Sequence, residues 1–493
     1  MRSFLLAAAV MVSVPLWQSP VAAKILRVAP PSPVVDLDPH GPNGTLRDTL
    51  MANRQIYDPL VEFNNGEPVG RLATAWQQPD PLTWIFTIRD GVKFHDGQAL
   101  TSADAAASIE RLAKQKGGLA PLWTSLDKVE TPDPRTLIVR LKEPVGPFLR
   151  NVSLLQIVPA SSAKEAGDKY GAAVRLPGTG AFKVKSFRPG QVLELEANTS
   201  YWDKPPSLTG IVIQNIPELT GRVTALVNNE IDLTWFLPDD QVTALKKNAD
   251  LTVSVAPSAI YYYSWFNPQR KPFNDPRVRQ ALWHAVDVKS VVADLLPETG
   301  ELARAPITSV VFGYSPKTPY AYDVEKAKKL LSDAGLPNGF TTELQYSPSQ
   351  GPEIEQLALA FISYWSKIGV TVTPTPLENP VWTKNLRDLN WDMTMSTNPS
   401  FTEDADYTLG RLYTTKRSGY ESPEASKFLL AAQREVDQGK RKELYDQAID
   451  VLWSDAPGIF PAELKAVYAY RKSLSNVDLS ATYTPRFRGT EAR

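Results

Sequence analysis

The sequence predicts an α/β protein made of several domain-sized units. Its 493 residues are 43% hydrophobic and 10% aromatic, a composition typical of a chain that forms a packed core. The length corresponds to about three domains. Through the second half of the chain, amphipathic helical patterns alternate with a strand pattern, and this alternation indicates helices packed on a sheet.

Residues 1–23 are predicted to be a cleaved secretory signal. Arg2 precedes an apolar run over residues 4–17, and small residues follow at the expected cleavage site. The run is too short to span a bilayer. An N-terminal anchor helix is the weaker interpretation, because Pro15 and Pro20 would interrupt it.

Charge and cysteine content exclude several classes of protein. The 53 Lys and Arg residues nearly balance the 54 Asp and Glu residues, so there is no basic field for nucleic acid or an acidic membrane surface. The chain has no cysteine, which excludes disulfides, thiolate metal sites, thiol nucleophiles and a lipid-acceptor cysteine. Together with the signal, these features predict a periplasmic protein that is not a lipoprotein.

One early stretch predicts strand, turn and helix in that order. Residues 82–88 alternate as a strand does, and residues 92–94 are expected to begin a partner strand. The pair Asp96-Gly97 indicates a tight turn, because glycine tolerates positive φ. Thr101 or Ser102 then caps a helix whose apolar residues recur at helical spacing.

His95 and Asp96 in that turn raise the question of catalysis. Adjacent residues in a turn generally point apart, and a general base needs a third group to orient it. The chain has only three histidines and lacks the HExxH, G-x-S-x-G and P-loop motifs. We therefore interpret the pair as part of an exposed structural turn, and expect no catalytic residue, no metal site and no cofactor.

The second half contains one long and two shorter helical patterns. Residues 272–296 predict a single core-forming helix, with Asn274 or Asp275 as its cap and Pro276 at its first position. Two shorter helices and a strand follow downstream. They are residues 324–335 with Gly335 as the stop, residues 353–367, and the strand at residues 368–373.

Six ordered blocks of sequence resemble one known family. They are Leu37–Pro39, Ile56–Trp76 continued by Leu82–Leu112, Gly178–Phe182, Asn198–Trp202, Asn267 with Pro272–Ala281, and Asp323–Gly335. Together they cover nearly the whole mature chain and are similar to the solute-binding proteins of peptide, nickel and opine ABC importers. Six blocks in the same order are far more specific than any one of them.

The resemblance implies a two-lobed periplasmic-binding-protein fold of class II (cluster C), with an accessory domain and a central ligand cleft. One lobe would comprise residues 24–62, 178–260 and 462–493. The accessory domain would be residues 63–177, and the second lobe residues 261–461. The resemblance further implies a monomer that delivers a small-molecule or peptide ligand to an ABC permease with a cytoplasmic ATPase.

The aromatic run at the implied lobe crossing is one candidate for the cleft. In a strand, Tyr261, Tyr263 and Trp265 share one face, while Tyr262 and Phe266 share the other. One face can line the cleft while the other packs inside, and the first three residues are our candidate ligand contacts. An entirely buried run is equally compatible with the pattern, because aromatic side chains usually pack inside.

The second candidate region departs from the family at two positions. In the family's dipeptide binders, a Trp matching Trp382 lies against the ligand, and an Asp matching Phe401 pairs with the peptide amine. An Arg for the peptide carboxylate stands where this chain has Ser347–Ser349. Both zwitterion anchors are therefore missing. A free dipeptide is disfavoured, because a desolvated charge needs a partner.

Asn398 and Asp404 complete the set of candidate ligand contacts. If the alignment slips by a few residues, Glu403, Asp404 or Asp406 would supply the missing anion. Asp404 could equally cap the helix that follows it. The residues alone do not separate these alternatives.

We therefore expect a periplasmic receptor that binds a peptide or peptide-like solute for an ABC importer. Within the same family, an opine or a sugar-like solute is the alternative, and nickel is disfavoured because the three histidines are far apart in sequence. A secreted hydrolase is an alternative of another class, suggested by the adjacent carboxylates Glu403 and Asp404. A chaperone or sensor on the same scaffold is a third.

Overall fold

The structure is a computed structural model that describes residues 24–167, 169, 175–351 and 353–493. The predicted signal, residues 1–23, lies outside the described residues. Within the described part of the chain, every helix is too short or too polar to cross a bilayer.

The strands of the described residues are distributed along the whole chain. They are β1 (Ile25–Val28), β2 (Val61–Asn64), β3 (Glu67–Gly70), β4 (Ala73–Asp80), β5 (Thr83–Ile88), β6 (Leu126–Asp133), β7 (Thr136–Leu141), β8 (Phe182–Arg188), β9 (Val192–Ala197), β10 (Gly210–Gln214), β11 (Leu233–Trp235), β12 (Leu251–Phe266), β13 (Gly300–Leu302), β14 (Thr341–Tyr346), β15 (Thr371–Pro376), β16 (Met393–Pro399), β17 (Gly458–Ile459), β18 (Ala462–Arg471), β19 (Leu474–Ser475) and β20 (Glu491–Ala492).

The helices alternate with these strands, most regularly between residues 276 and 399. They are α1 (Arg47–Ile56), α2 (Ser102–Lys114), α3 (Phe148–Val152), α4 (Ala160–Ala166), α5 (Leu219–Val227), α6 (Asp239–Leu245), α7 (Pro276–His284), α8 (Val288–Leu295), α9 (Val324–Asp333), α10 (Ile354–Ser366), α11 (Asn379–Arg387), α12 (Arg411–Tyr413), α13 (Pro423–Arg434) and α14 (Gln438–Asp455).

A large mixed sheet forms the centre of the molecule. Its strand order is β15-β14-β16-β12-β18-β11-β1-β10-β9-β8. β14 pairs in parallel with β15 and β16, whereas β12 pairs antiparallel with β16 and β18. Helices α1, α5 and α10 pack on this sheet. The predicted α/β class is therefore confirmed.

The long strand β12 joins the two halves of this sheet. It pairs with β18 from Leu251 to Tyr261, and with β16 from Ile260 to Phe266. A register shift between Pro257 and Ile260 interrupts the ladder to β18, and such irregularities let a strand bend. The implied lobe crossing at Tyr261 falls directly after this shift.

A second, smaller sheet with strand order β4-β5-β7-β6 has its own apolar core. Phe86, Ile109 and Leu137 are fully buried or nearly so in this core, and α2 packs against β6 and β7. The accessory domain predicted at residues 63–177 encloses the sheet, and the boundaries of that domain stay a prediction. Phe401 and Tyr407, distant in sequence, also pack into this core.

The early turn differs from the prediction in two respects. Residues 92–94 do not form the partner strand of β5, which pairs instead with β4 and β7. His95 is half-buried rather than exposed, and its Nε2 lies 2.9 Å from the carbonyl oxygen of Gly180. Strand β7, which pairs with β5, and the segment at Gly180 that contacts His95 are distant in sequence. A local pattern contains no information about such contacts. Asp96 is exposed and accepts a hydrogen bond from its neighbour Gln98, so the structural interpretation of the turn stands.

The predicted start of α2 is confirmed in detail. Asp104 Oδ2 accepts hydrogen bonds from the backbone N–H of Thr101, at 2.7 Å, and from its hydroxyl, at 2.9 Å. Thr101 is therefore the capping residue, and Ser102 is the first residue of the helix. The carboxylate also lies at the helix end where negative charge is favoured.

The helix predicted over residues 272–296 is two helices. Asp275 caps α7 by accepting a hydrogen bond from the N–H of Arg277 at 2.9 Å. It is one of the two residues predicted for this role. Asp287 then accepts from the N–H of Ser290 at 3.1 Å and starts α8. The side chain of Asp287 takes the place of a helical carbonyl as the acceptor for this backbone N–H, so one helix ends and another begins. The spacing of the apolar residues does not reveal this break.

The two shorter helices agree with the prediction. α9 is followed by Gly335 at φ +84°, a conformation that favours glycine and ends the helix. α10 occupies residues 354–366, close to the predicted range. The strand after it begins at Thr371 rather than residue 368, because Gly369 at φ +81° still belongs to the connecting turn.

Candidate ligand-binding cleft

A cavity of about 490 Å³ lies between segments that are far apart in sequence. Its walls come from α1, the β2–β3 hairpin, α3, residues 401–403 and the C-terminal residues 478–486. Charged and polar side chains dominate the lining, and we call this space the arginine cavity. Its polar members are Arg54, Asn64, Asn65, Arg150, Ser153, Thr402, Glu403, Asp478, Ser480 and Arg486.

Arg54 enters the arginine cavity from the last turn of α1. One terminal nitrogen donates to the hydroxyl of Thr484 at 2.6 Å, while Nε has no hydrogen-bond partner among the described residues. Burial, with a smaller contribution from neighbouring Arg486, lowers the pKa of Arg54 to about 9. The guanidinium is therefore only partly compensated by the protein.

Arg486 shares its carboxylate partner with other guanidinium groups. Its Nε lies 3.1 Å from Glu62 Oε1, but Glu62 also accepts two hydrogen bonds from Arg488 and lies 3.6 Å from Arg71. Burial opposes ionisation of Glu62, yet the surrounding guanidiniums, Arg486 first, hold its pKa well below the usual range. Arg71 has Asp58 and Asp203 as further partners, at 3.5 and 2.8 Å, so the charge of Glu62 is shared mainly between Arg486 and Arg488.

Arg150 reaches the cavity from α3 and stacks over the Phe63 ring at 3.8 Å. It donates to the carbonyl oxygen of Gly66 at 3.2 Å and lies 3.5 Å from a carboxylate oxygen of Glu403. Glu403 has φ +53°, which is uncommon for a residue with a side chain. Its N–H donates to the carbonyl of Ser400 at 3.0 Å, so a tight turn holds this carboxylate at the cavity.

An adjoining cavity of about 340 Å³ shares Phe63, Gly66 and Arg150 with the arginine cavity. Its far wall contains Asp404 and Arg441, which form an ion pair at 2.8 Å with both side chains 1% exposed. Asp404 also accepts from the Tyr445 hydroxyl at 3.3 Å and from the N–H of Asp406 at 3.0 Å. Its Oδ1 receives all three of these contacts. Asp404 lies just before the helical segment Asp406–Gly410, whose N-cap is Ala405, so a capping role for Asp404 stays a prediction.

The segment that follows β7 of the smaller sheet packs tightly against α13 and α14 beside these cavities. The N–H of Gly146 donates to the carbonyl of Gln433 at 2.7 Å. A Cβ at position 146 would lie 2.2 Å from the carbonyl oxygen of Glu435 and 2.6 Å from Arg441 Nε. Only glycine fits this approach without a shift of the surrounding atoms. The cleft is thus enclosed on this side by a close backbone contact.

Comparison with known proteins identifies the family. A family profile described as bacterial extracellular solute-binding proteins, family 5 middle, matches residues 67–420. The chain belongs to this family. The glutathione-binding protein GsiB of Pectobacterium atrosepticum is 29% identical over 499 residues, covering 96% of this chain and 95% of that protein. GsiB of Escherichia coli K12 is 27% identical over 480 residues, covering 92% of each chain.

Solved structures of similar proteins share the two-lobed architecture of this solute-binding protein. The periplasmic binding protein DppA of Helicobacter pylori, in complex with the peptide STSA, matches with a TM-score of 0.84 at 26% identity, covering 95% of this chain and 98% of that one. MoaA of A. tumefaciens R10, in complex with mannopinic acid, matches with a TM-score of 0.82 at 26% identity, covering 96% and 100%. The predicted family and the two-lobed fold are therefore confirmed.

The aromatic run of β12 is packed on both faces. Tyr263 stacks on Trp265 with ring centroids 3.9 Å apart, and Tyr261 lies 6.4 Å from Tyr263, so the three share a face as predicted. All three are at most 3% exposed. On the other face, Tyr262 donates to a buried carboxylate oxygen of Glu353 at 2.8 Å. None of these aromatic residues is among the described lining of the arginine cavity or of the adjoining cavity.

Trp382 and Asn398 are also satisfied by protein groups. Trp382 is 5% exposed, and its indole N–H donates to the hydroxyl of Thr394 at 3.0 Å. The side-chain amide of Asn398 donates to the Tyr261 hydroxyl at 3.0 Å, across the β12–β16 pair. Trp382 is buried and Asn398 half-buried, and the role of both residues as ligand contacts stays a prediction.

Phe401 and Asp404 are the two predicted residues that the structure brings to the cleft. Phe401 lines the arginine cavity, with its ring packed against Tyr407 at 5.9 Å, and Asp404 lines the adjoining one. The three arginines were missed by the sequence reasoning. Arg54 looks like any polar residue of an amphipathic helix, and no local motif marks Arg150 or Arg486. The described residues contain no group of three or more histidine or acidic side chains arranged to hold a metal ion.

Proposed function

We propose that this solute-binding protein is the periplasmic component of an ABC importer, and that it captures a peptide or peptide-like solute in the arginine cavity. The single observation that carries this proposal is the cavity itself: about 490 Å³ of space lined by three arginines and two carboxylates from segments far apart in sequence. Peptides have such charges at both ends, and a closing cleft strengthens their pairing by excluding water.

The relatives support a peptide rather than another solute. Curated relatives of the chain include glutathione-binding proteins, and a structural relative is in complex with the peptide STSA. We propose that the solute is longer or more highly charged than a free dipeptide, because Phe401 stands at the implied amine position and packs into the apolar core of the smaller domain. An opine is the second candidate, since MoaA holds mannopinic acid.

The proposal includes a periplasmic location, a permease partner and the absence of catalysis. The predicted signal and the family support the first two. A catalytic role for His95 has little support, because burial lowers the pKa of this histidine and its ring nitrogen is engaged with the carbonyl of Gly180. Glu403 faces Arg150 rather than a second unpaired carboxylate, which does not favour a hydrolase.

Isothermal titration calorimetry of the purified protein with a panel of peptides and opines tests this function. We expect saturable binding of one solute per chain, with the solute recovered chemically unchanged. Native mass spectrometry of protein purified without denaturation provides a second measurement of the same stoichiometry. Failure of every peptide and opine to bind, or chemical conversion of any of them, would contradict the proposal.

A further inference from the structure

The charges that line the arginine cavity do not balance. Three guanidiniums, of Arg54, Arg150 and Arg486, face two carboxylates, of Glu403 and Asp478. Arg150 is close to Glu403, at 3.5 Å, whereas Arg54 forms no ion pair with a carboxylate of the described residues. The lining therefore has a surplus of positive charge that a bound solute can complement.

Glu62, behind the cavity wall, does not remove this surplus. It makes a two-pronged pair with Arg488 at 2.9 and 2.7 Å, in addition to its contact with Arg486. The bidentate partner uses both carboxylate oxygens. Arg486 contacts Glu62 through Nε, and its side chain also lines the cavity.

Two polar groups of the lining have no hydrogen-bond partner among the described residues. They are Nε of Arg54 and the hydroxyl of Thr402, both buried at the atom in question. An unpaired buried donor is costly, and a guanidinium is matched in shape by a carboxylate that accepts two parallel hydrogen bonds. Both residues line the same cavity, and the Arg54 side chain as a whole is half-buried, so a ligand can approach its guanidinium from the cavity.

We infer that the preferred solute carries two carboxylates and one ammonium group, and thus a net charge of minus one. The inference rests on the proposed function and specifies its substrate class. The guanidiniums take the two carboxylates, and Glu403 or Asp478 takes the ammonium group. An ordinary zwitterionic peptide supplies one carboxylate only and leaves a guanidinium unpaired in the closed cleft.

Two kinds of solute contain this set of charges. Glutathione, a peptide, has two carboxylates and one ammonium group near neutral pH, and so does any α-linked peptide with one glutamate side chain. Mannopinic acid, a glutamate-derived opine, also combines two carboxylates with an amine. The experiment therefore needs one probe from each source, together with a probe that lacks only the second carboxylate.

Calorimetric titrations of the purified protein compare four probes: glutathione, glutathione monoethyl ester, trialanine and mannopinic acid. The ester differs from glutathione by one blocked carboxylate, and it thereby isolates the charge. We expect the ester and trialanine to bind at least about 10-fold more weakly than the tighter of glutathione and mannopinic acid. The identity of that tighter probe tells whether the source is a peptide or an opine.

The variant Arg54→Met then places the effect in this cavity. We expect this variant to bind the dicarboxylate probe about 10- to 100-fold more weakly than the parent protein does. Its affinity for the ester should fall by less, so the ratio between the two affinities should decrease. Arg387→Met, at a side chain that is 71% exposed on α11, is the matched control and should leave every affinity unchanged. Unaltered circular dichroism and thermal unfolding without ligand show that a weakened variant is folded.

Different outcomes separate the two levels of the hypothesis. If trialanine or the ester binds as tightly as the dicarboxylates, the inference is overturned while the proposed function stands. The same holds if Arg54→Met weakens all probes equally, or none. If none of the four probes binds, the inference fails, and the wider panel of peptides and opines decides whether the proposed function stands.

Discussion

Two arginines near the cleft, Arg441 and Arg54, have opposite surroundings. Arg441 is 1% exposed and pairs with Asp404 at 2.8 Å, and its other nitrogens donate to Ala432 and Gln438. Among the described residues, the side chain of Arg54 donates hydrogen bonds only to Thr484, and its Nε has no partner. The ion pair with Asp404 makes Arg441 part of the scaffold, because it ties α14 to residues 401–404, which line the two cavities.

The contrast shows how to distinguish a structural charge from one available to a ligand. A buried ion pair that is complete within the protein gains nothing from a solute, whereas an incomplete one gains a partner. The pKa values follow this division. Burial works against the charge of both arginines, but the Asp404 carboxylate raises the pKa of Arg441 above its usual value, while the pKa of Arg54 falls to about 9.

The largest expected effect on stability comes from breaking the Arg441–Asp404 ion pair. Arg441→Ala leaves Asp404 buried without its cation and should lower the free energy of unfolding by about 3–5 kcal/mol. Urea denaturation followed by circular dichroism measures this change. The double variant Arg441→Met with Asp404→Leu, which removes both charges, should regain most of the loss. A single variant as stable as the parent would show that the pair is not structural.

Glu353 is a buried carboxylate whose partners are neutral groups, and we expect its effect on stability to be of intermediate size. Glu353 accepts from the Tyr262 hydroxyl at 2.8 Å and from the N–H of Asp239 at 3.2 Å, and burial raises its pKa to about 7 from an ordinary 4.5. The folded state therefore holds a proton that the unfolded state releases between pH 4.5 and 7. Stability should fall across this window as the pH rises, by up to about 3 kcal/mol, and stay level above it.

The variant Glu353→Gln tests this pH dependence, because the amide does not titrate. Asp406 contributes in the same window, since burial and the adjacent Asp404 raise its pKa to about 7. Glu353→Gln should thus reduce the slope, and adding Asp406→Asn should remove most of the remainder. Urea denaturation at a series of pH values provides the measurement, and an unchanged slope in the double variant would refute the assignment.

The smallest expected effect on stability comes from replacing Arg54, which has no carboxylate partner among the described residues. Arg54→Met removes a charge that the unliganded protein compensates poorly, so the free energy of unfolding should change by less than about 1 kcal/mol. The same urea experiment used for Arg441 makes the two results directly comparable. A loss of several kcal/mol would mean that Arg54 is structural too, and the contrast between the two arginines would disappear.

Much of the fold could be predicted from the sequence, because it is encoded locally. The capping pair Thr101 and Asp104 marked the start of α2, and Gly335 marked the end of α9. The pattern did not reveal that Asp287 would interrupt a helix, because a cap within an apolar stretch looks like one more polar residue. The sheet partners of β5 were also beyond local information, since they depend on distant segments.

The cleft was much less predictable than the fold. The predicted aromatic residues of β12 are large and alternate correctly, yet both faces of this strand are covered by other elements. Arg54, Arg150 and Arg486 come from three regions spread over more than 400 positions in the sequence. Only the tertiary arrangement brings them to one cavity, and only the count of their partners distinguishes them from other arginines.

The pairing of β12 with β18 has a mechanical consequence for a receptor that opens and closes. In the implied lobe division, the chain crosses in β12 and again where it enters β18, so the crossings form one two-stranded ribbon whose ladder is irregular between Pro257 and Ile260. Such a ribbon twists far more easily than it stretches or shears, so the path of opening would be set by the chain and not by the cargo. Solutes of different shape would then leave the outer surface in one recurring geometry, which is what a transporter needs in order to recognise a loaded carrier.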